Sequence, residues 1–211
     1  MTLTAVLDSI LRRSGLSLCE LERECEEIVL FGSRASGCGS ADSDWDLLCV
    51  GPRRLSVAAP LHLLWLAPAA RDLPDWYGSE LAGHVGRYGL WLRGSGCWRS
   101  SAHVSDEAVT RKTRGLQGDL ANLEAMWRFL SPYFRRKHVT LVRRDLQRLA
   151  VLRLKSAVPP TPRLDAEWAS TPSRADVLGL ARELGVNERF LSEHVAPLLA
   201  VPPVGRIARD G

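Results

Sequence analysis

A short apolar segment that ends in Gly-Ser, followed by a second that begins beside two aspartates, constrains the fold of this chain more than any other feature. Residues 28–31 (IVLF) run into Gly32-Ser33, and residues 45–50 (WDLLCV) run into Gly51-Pro52. Apolar runs of this length between Gly, Pro and Ser are typical of buried strands. We therefore predict two strands, joined over residues 33–43 by a loop or the start of a short helix.

The polar residues at the ends of these strands indicate a chemistry. Ten residues separate Ser33 from Asp44, and Asp46 follows two positions later. Residues i and i+2 of a strand project from one face, so the two carboxylates repel each other unless a cation lies between them. Oxygen ligands favour Mg²⁺ or Mn²⁺, and the Ser33 hydroxyl and backbone N–H groups at Gly32-Ser33 can hold phosphate oxygens. This combination is typical of phosphoryl or nucleotidyl transfer.

The same segment resembles the nucleotidyltransferase superfamily typified by DNA polymerase β, and within it the small bacterial nucleotidyltransferases. Their signature is an apolar residue with Gly-Ser or Gly-Gly, a spacer, and then Asp-apolar-Asp-apolar, which Phe31-Gly32-Ser33 and Asp44-Trp45-Asp46-Leu47 fit. The patterns Gly-Ser-Arg-Ala-x-Gly and Ser-Asp-x-Asp-Leu are typical flanks of the small members. The resemblance covers residues 25–95. We expect Trp45, between the aspartates, to point to the opposite face of the sheet.

The resemblance implies a metal-dependent enzyme that moves an NMP, with AMP as the leading candidate, from an NTP to a hydroxyl group. That hydroxyl belongs to a protein, a tRNA or a small-molecule alcohol, and the sequence does not decide among them. The expected cofactor is Mg²⁺ or Mn²⁺, held by Asp44 and Asp46. The residues expected to bind the nucleotide are Gly32, Ser33, Arg34 and Ser43, and those expected to act in catalysis are Asp44, Asp46 and His62.

His62 is the point at which the chain departs from the family pattern. Family members usually place a third carboxylate on the next strand, and the matching segment here is Leu61-His62-Leu63-Leu64-Trp65. Histidine is a poor ligand for Mg²⁺ but a competent general base near neutral pH. Several interpretations stay open. In the first, His62 is the general base or favours a softer metal. In the second, Asp72 or Asp75 supplies the missing carboxylate, or Glu80 acts as the base. In the others, the site binds nucleotide but is a poor catalyst, or His62 has no chemical role.

The character of the chain changes at Ser105. Ser-Asp-Glu at 105–107 is a favourable helix start, and helical periodicity continues to Leu130. The remaining elements follow from periodicity and from the positions of Gly and Pro. We expect helices over 3–13, 78–88, about 135–155, 173–184 and 187–199, strands over 61–66 and 90–92, and a proline-rich connector over 156–172.

The predicted fold class is therefore α+β. A small mixed β-sheet with helices forms a nucleotidyltransferase-like domain over residues 1–104, and an all-α domain over residues 105–211 binds a substrate or partner. An alternative function follows from this layout and from the histidine at position 62. It is a non-catalytic nucleotide-binding regulator or antitoxin that acts through its helical half.

Composition narrows the class of protein. Hydrophobic residues are 45% and charged residues 25%, and no apolar run reaches the roughly 20 residues of a membrane-spanning helix. Five scattered cysteines without C-x-x-C spacing favour a reducing cytoplasm.

Residues 105–211 hold 18 Lys or Arg and 12 acids, a net of +6, and eight of those cations lie between Arg135 and Lys155. That charge indicates an anionic partner or a solvated helix face, and a homodimer stays open.

Overall fold

The computed structural model describes residues 2–52, 59–170 and 174–199. They form two compact units: the first comprises residues up to 105 together with 156–162, and the second comprises 106–155 with the chain from 163 onward. The first unit contains the sheet and the second is helical, so the α+β class predicted from the sequence is confirmed. Among the described helices, none has the length and apolar character that a membrane crossing requires.

A four-stranded sheet forms the centre of the first unit. Its strands are β1 (Glu27–Phe31), β2 (Trp45–Val50), β3 (Leu61–Leu66) and β4 (Leu90–Arg93). Its helices are α1 (Leu3–Arg13), α2 (Leu18–Glu24), α3 (Gly32–Ala35), α4 (Pro68–Arg71), α5 (Pro74–Tyr77) and α6 (Glu80–Tyr88), and a 3₁₀ turn follows at Cys97–Ser100. The strands and the two longer helices lie where the sequence predicts them. The short helices α2, α4 and α5 lie outside those predictions.

The sheet is mixed, with strand order β3-β2-β1-β4. Strand β1 pairs antiparallel with β2 and β4, and β2 pairs parallel with β3. Alternate residues of β2 face different cores: Trp45 and Leu47 pack with α1 and α2, whereas Leu48 packs with α6. The prediction for Trp45 is therefore confirmed. Because Asp46 alternates with Trp45 and Leu47, its carboxylate projects from the face that α6 covers.

Asp8 ties α1 to α2. Its carboxylate accepts a hydrogen bond from the backbone N–H of Leu18 at 2.8 Å and another from Nε of Arg12 at 2.7 Å. The Leu18 bond and then the Arg12 guanidinium hold the pKa of Asp8 below its usual range. At the start of α2, Ser17 and Glu20 form a capping box. These bonds fix the corner between α1 and α2, the helices that cover one face of the sheet.

The second unit consists of helices around one apolar core. They are α7 (Asp106–Met126), a 3₁₀ turn (Trp127–Phe129), α8 (Pro132–Arg153), α9 (Thr161–Ser170) and α10 (Arg174–Glu183), then α11 (Glu188–Phe190), a π turn (Leu191–Val195) and α12 (Ala196–Leu199). The core includes Leu116 and Leu120 from α7, Leu146 and Leu149 from α8, and Leu180 from α10. The helices predicted between 105 and 155 and between 187 and 199 are confirmed.

The prediction of a connector without helix over residues 156–172 is wrong, because α9 occupies Thr161–Ser170. Pro162 lies in the first turn of this helix, where its missing N–H removes no intrahelical bond. Leu164 is buried, and Asp165 accepts hydrogen bonds from Arg143 and Arg144 of α8. Tertiary contacts therefore stabilise a helix that proline content argues against. Pro172 and the predicted helix start at residue 173 lie outside the described residues.

Candidate functional site

The turn after β1 brings backbone directly against a carboxylate of β2. Gly32 has φ +74°, a left-handed conformation that side chains rarely adopt. A Cβ atom built on Gly32 would lie 2.4 Å from Oδ2 of Asp46, far inside contact distance. Phe31 and Asp46 are partners in the β1–β2 register, which places the next residue beside the aspartate. Position 32 therefore requires glycine for two reasons: the left-handed backbone conformation and the lack of space for a Cβ beside Asp46.

Asp44 and Asp46 lie close enough for their charges to interact. The Asp46 side chain is 25% exposed. Burial raises the pKa of Asp46 above its usual value, and the negative charge of Asp44 raises it further. This rise in the pKa of Asp46 is opposed by a hydrogen bond from His62 and by the charges of His62 and His84. Asp46 is therefore a partly desolvated carboxylate that lies near the carboxylate of Asp44.

His62 faces the aspartates from the neighbouring strand. It is the register partner of Asp46 in the parallel β2–β3 pair, and its Nδ1 lies 3.2 Å from Oδ1 of Asp46. The imidazole is 58% exposed. When Nδ1 carries the proton and donates it to Asp46, Nε2 has a free lone pair that can accept a proton. The structure thus brings together Gly32, Asp44, Asp46 and His62 of the predicted site.

Arg34 and Ser43 hold the loop that leads to Asp44. Nε and Nη2 of Arg34 donate to the carbonyl oxygen of Ser43 at 2.8 Å and 2.6 Å, and Nη2 also donates to the carbonyl of Ala41 at 2.9 Å. The guanidinium lies 4.4 Å from the ring centroid of Trp45. The Ser43 hydroxyl accepts from the N–H of Ser40 at 2.9 Å. In this structure both residues fix the loop, and direct nucleotide contact by either stays a prediction.

Ser33 lies in the first turn of α3, where backbone N–H groups have no partner inside the helix. Its carbonyl accepts from the Ser36 hydroxyl at 3.0 Å and from the N–H of Cys38 at 2.9 Å. Its own side chain is half-buried. Within the described part of the chain, the Ser33 hydroxyl makes no hydrogen bond. A hydroxyl in this position is available to a phosphate oxygen.

His84 joins the surroundings of Asp46 from α6. Its ring lies edge-on to Phe31, with centroids 6.2 Å apart, and its Nδ1 lies 2.7 Å from the carbonyl oxygen of Val158. His84 lowers the pKa of Asp46 through its charge. The sequence places several polar residues on this helix but does not distinguish His84 from the others, because the spacing within a helix does not show which polar residue faces the sheet. The alternative acid Asp72 pairs with Arg71 at 3.0 Å instead.

The donor set of this site fits a hard divalent cation. No described Lys or Arg side chain pairs with Asp44 or Asp46. Mg²⁺ is usually bound by one or two carboxylates together with waters and substrate phosphates, so two aspartates suffice for the protein's share. Among residues 2–52, 59–170 and 174–199, no three His, Cys, Asp or Glu side chains form a ready-made metal cluster. The site therefore suits a metal that arrives with a phosphate ligand.

Comparison with known proteins indicates the class of the first unit. Residues 13–95 match the family model described as a nucleotidyltransferase domain. This segment contains α2, all four strands and the Gly32–His62 constellation. Residues 13–95 of the first unit therefore resemble a nucleotidyltransferase domain, and with the helices beyond them the chain fits a polymerase-β-like nucleotidyltransferase with an appended helical region. Domains of this family generally use a divalent metal and an NTP. No curated protein matches the chain.

Proposed function

We propose that the protein transfers an NMP, with AMP as the leading candidate, from an NTP to a hydroxyl group and releases pyrophosphate. The observation that carries the proposal is the contact between Gly32 and Asp46. It joins a backbone turn suited to phosphate and a carboxylate that lacks a cationic Lys or Arg partner among the described side chains. The family match supports nucleotidyl transfer as the type of reaction.

Each residue of the site has a role in this proposal. Gly32 and Ser33 hold the triphosphate through backbone N–H groups and the serine hydroxyl. Asp44 and Asp46 hold Mg²⁺ or Mn²⁺, which when bound neutralises charge that develops on the phosphates. Arg34 keeps Asp44 in place through the carbonyls of its loop.

The reaction is a displacement at the α-phosphorus. The acceptor oxygen forms a bond to that phosphorus, and the bond from the phosphorus to the oxygen bridging to the β-phosphate breaks, so pyrophosphate leaves with the electron pair. Nε2 of His62 takes the hydroxyl proton, while Nδ1 stays bound to Asp46. His62 thereby supplies the proton acceptor that a third carboxylate provides in the family pattern.

A nucleotide-binding regulator or antitoxin is the second candidate. The observation in its favour is His62 itself, because it replaces an oxygen ligand with a nitrogen that hydrogen-bonds to one of the two aspartates. Such a site would bind an NTP without transferring its nucleotide. The helical unit would then act on a protein or nucleic acid.

Incubation with labelled nucleotides separates the two candidates. The protein is mixed with each α-labelled NTP and Mg²⁺ or Mn²⁺, in the presence of total protein, tRNA or aminoglycosides as acceptors. Transfer predicts label on one acceptor class and equimolar pyrophosphate, both absent from an Asp46→Asn variant. Nucleotide binding without label transfer to any acceptor would favour the regulator. Absence of nucleotide binding would contradict both.

A further inference from the structure

A group of exposed aromatic and basic side chains lies where α7 ends and α8 begins. We call it the aromatic–basic patch and define it as Arg128, Phe129, Tyr133, Phe134, Arg136 and Lys137. Phe129 is 73% exposed, Tyr133 68% and Phe134 47%. Large apolar side chains that gather at the surface usually mark an interaction site. The proposed reaction in the first unit makes no use of them.

Short-range contacts join two pairs of neighbouring side chains within the patch. The Arg128 guanidinium lies 4.6 Å from the ring centroid of Phe129, and the rings of Tyr133 and Phe134 meet edge to face at 5.3 Å. Tyr133, Arg136 and Lys137 share one face of α8, because residues three and four apart are neighbours on a helix. Four residues of chain keep the Cα atoms of Phe129 and Tyr133 within about 15 Å of each other.

The cations of the patch differ from most other described cations of this unit. No acid occurs between Glu124 and Asp145, and no described acidic side chain pairs with Arg128, Arg136 or Lys137. Elsewhere in the described part of the second unit, ion pairs occupy Arg111, Lys112, Arg143, Arg144, Arg148, Arg153, Lys155, Arg163, Arg182 and Arg189. Among the other described cations, Arg114 and Arg135 also lack an ion pair, and Arg135 lies between Phe134 and Arg136 in the sequence. Most of the uncompensated charge in the described part of the unit therefore lies beside its exposed aromatic rings.

Aromatic faces beside unpaired cations match one ligand chemistry. Unpaired bases stack on Phe and Tyr rings while Arg and Lys bind the phosphates that link them. A duplex keeps its bases stacked inside, so exposed rings on a protein surface reach only the bases of a single strand. RNA offers such bases in loops and at ends, where proteins stack them on aromatic side chains and Arg planes. A protein partner would need acidic side chains opposite these cations, and the cores of protein interfaces are depleted in charged residues.

We propose that the aromatic–basic patch binds single-stranded RNA. Phe129 and Tyr133 stack on bases, and Arg128, Arg136 and Lys137 bind the adjoining phosphates. The proposal concerns binding by the helical unit alone. It holds whichever hydroxyl receives the nucleotide, and it also holds if the first unit transfers none.

Fluorescence anisotropy of the full-length protein with a labelled 15-nucleotide oligouridylate tests the proposal. The double variant Phe129→Ala/Tyr133→Ala should weaken binding by at least about tenfold, given what each stacked base contributes. The double variant Arg136→Gln/Lys137→Gln should lower the slope of log K against log salt by about 1.4, because each phosphate that the variant no longer binds accounts for about 0.7. The controls Leu154→Ala, an apolar residue 77% exposed outside the patch, and Arg111→Gln, paired with Glu107, should bind like wild type.

Several outcomes would overturn the proposal. They are no binding by the wild type, equal affinity for single-stranded DNA of the same length, or unchanged binding by the aromatic variant. A wild-type dimer in sedimentation that the aromatic variant dissociates would show instead that a second copy covers the patch. Circular dichroism melts of all variants establish that the helical unit is folded. Transfer of label from an NTP is a separate measurement, so failure of the proposed function leaves this test intact.

Discussion

Gly32 and Asp46 lie so close together that a methyl group cannot fit between them: a Cβ at residue 32 would stand 2.4 Å from the Asp46 carboxylate. The contact joins the two halves of the sequence motif in space. It ties the backbone that we assign to the triphosphate to a carboxylate that we assign to the metal. A substitution at Gly32 is therefore expected to disturb both the proposed triphosphate site and the proposed metal site.

Gly32→Ala should lower turnover by roughly 10²-fold, because even about 1 Å of displacement of a catalytic group has that effect. It should also destabilise the fold by about 1–2 kcal/mol, the cost of a left-handed conformation for a residue with a Cβ. Gly37→Ala is the matched control, since Gly37 has φ +72° and nothing within 4 Å of its added Cβ. Urea unfolding should show a loss of stability for both variants, and a larger one for Gly32→Ala because its Cβ also meets Asp46. Steady-state kinetics should show a large loss of turnover for Gly32→Ala alone.

Asp44→Asn and Asp46→Asn should each abolish metal-dependent nucleotide binding and leave the fold intact. Either change removes the repulsion between two carboxylates, one of them poorly solvated, so the melting temperature of the metal-free protein should stay equal or rise. Calorimetric titration with NTP and Mg²⁺, together with thermal melts, measures both effects. Asp119→Asn, at an exposed position in the helical unit, is the control. Wild-type binding by both site variants would show that the metal site lies elsewhere.

His62→Ala should lower kcat by roughly 10²–10⁴-fold with little change in nucleotide affinity, the usual contribution of a general base. If the histidine instead marks a degenerate site, His62→Asp should raise activity with Mg²⁺, because it restores three carboxylates. Single-turnover rates and nucleotide dissociation constants for both variants distinguish the two interpretations. Unchanged rates in both would move the acceptor-side base to Asp72, Asp75 or Glu80.

Local patterns in the sequence predict most of the sheet and the closeness of the site residues. Strands β1 and β2 are continuous apolar runs with sharp ends, and the alternation of side chains orients Trp45 away from Asp46. Parallel pairing of β2 with β3 then puts His62 beside Asp46. These features depend on spacing and on strand geometry, and both can be read from a single chain.

Features that depend on tertiary contacts could not be predicted. Helix α9 forms in a segment with four prolines because Asp165 binds two arginines of α8 and Leu164 is buried. Arg34 turns to the carbonyls of its own loop, a use of its guanidinium that the motif does not specify. His84 reaches the surroundings of Asp46 from a helix whose orientation on the sheet depends on packing.

The bonds of Asp8 give the stability of the first unit a specific pH dependence. Hydrogen bonds from Leu18 and Arg12 hold the folded-state pKa of Asp8 below the unfolded value of about 3.9. The ionised form therefore favours the fold: its contribution is complete above the unfolded pKa and is lost as the pH falls through the folded pKa. Asp8→Asn should lower the urea midpoint at pH 7, and this difference from wild type should shrink progressively below about pH 4. Urea denaturation at a series of pH values measures it, with Asp119→Asn as a control that should follow wild type throughout. A difference that persists undiminished at pH 2 would show that Asp8 acts through packing and not through its charge.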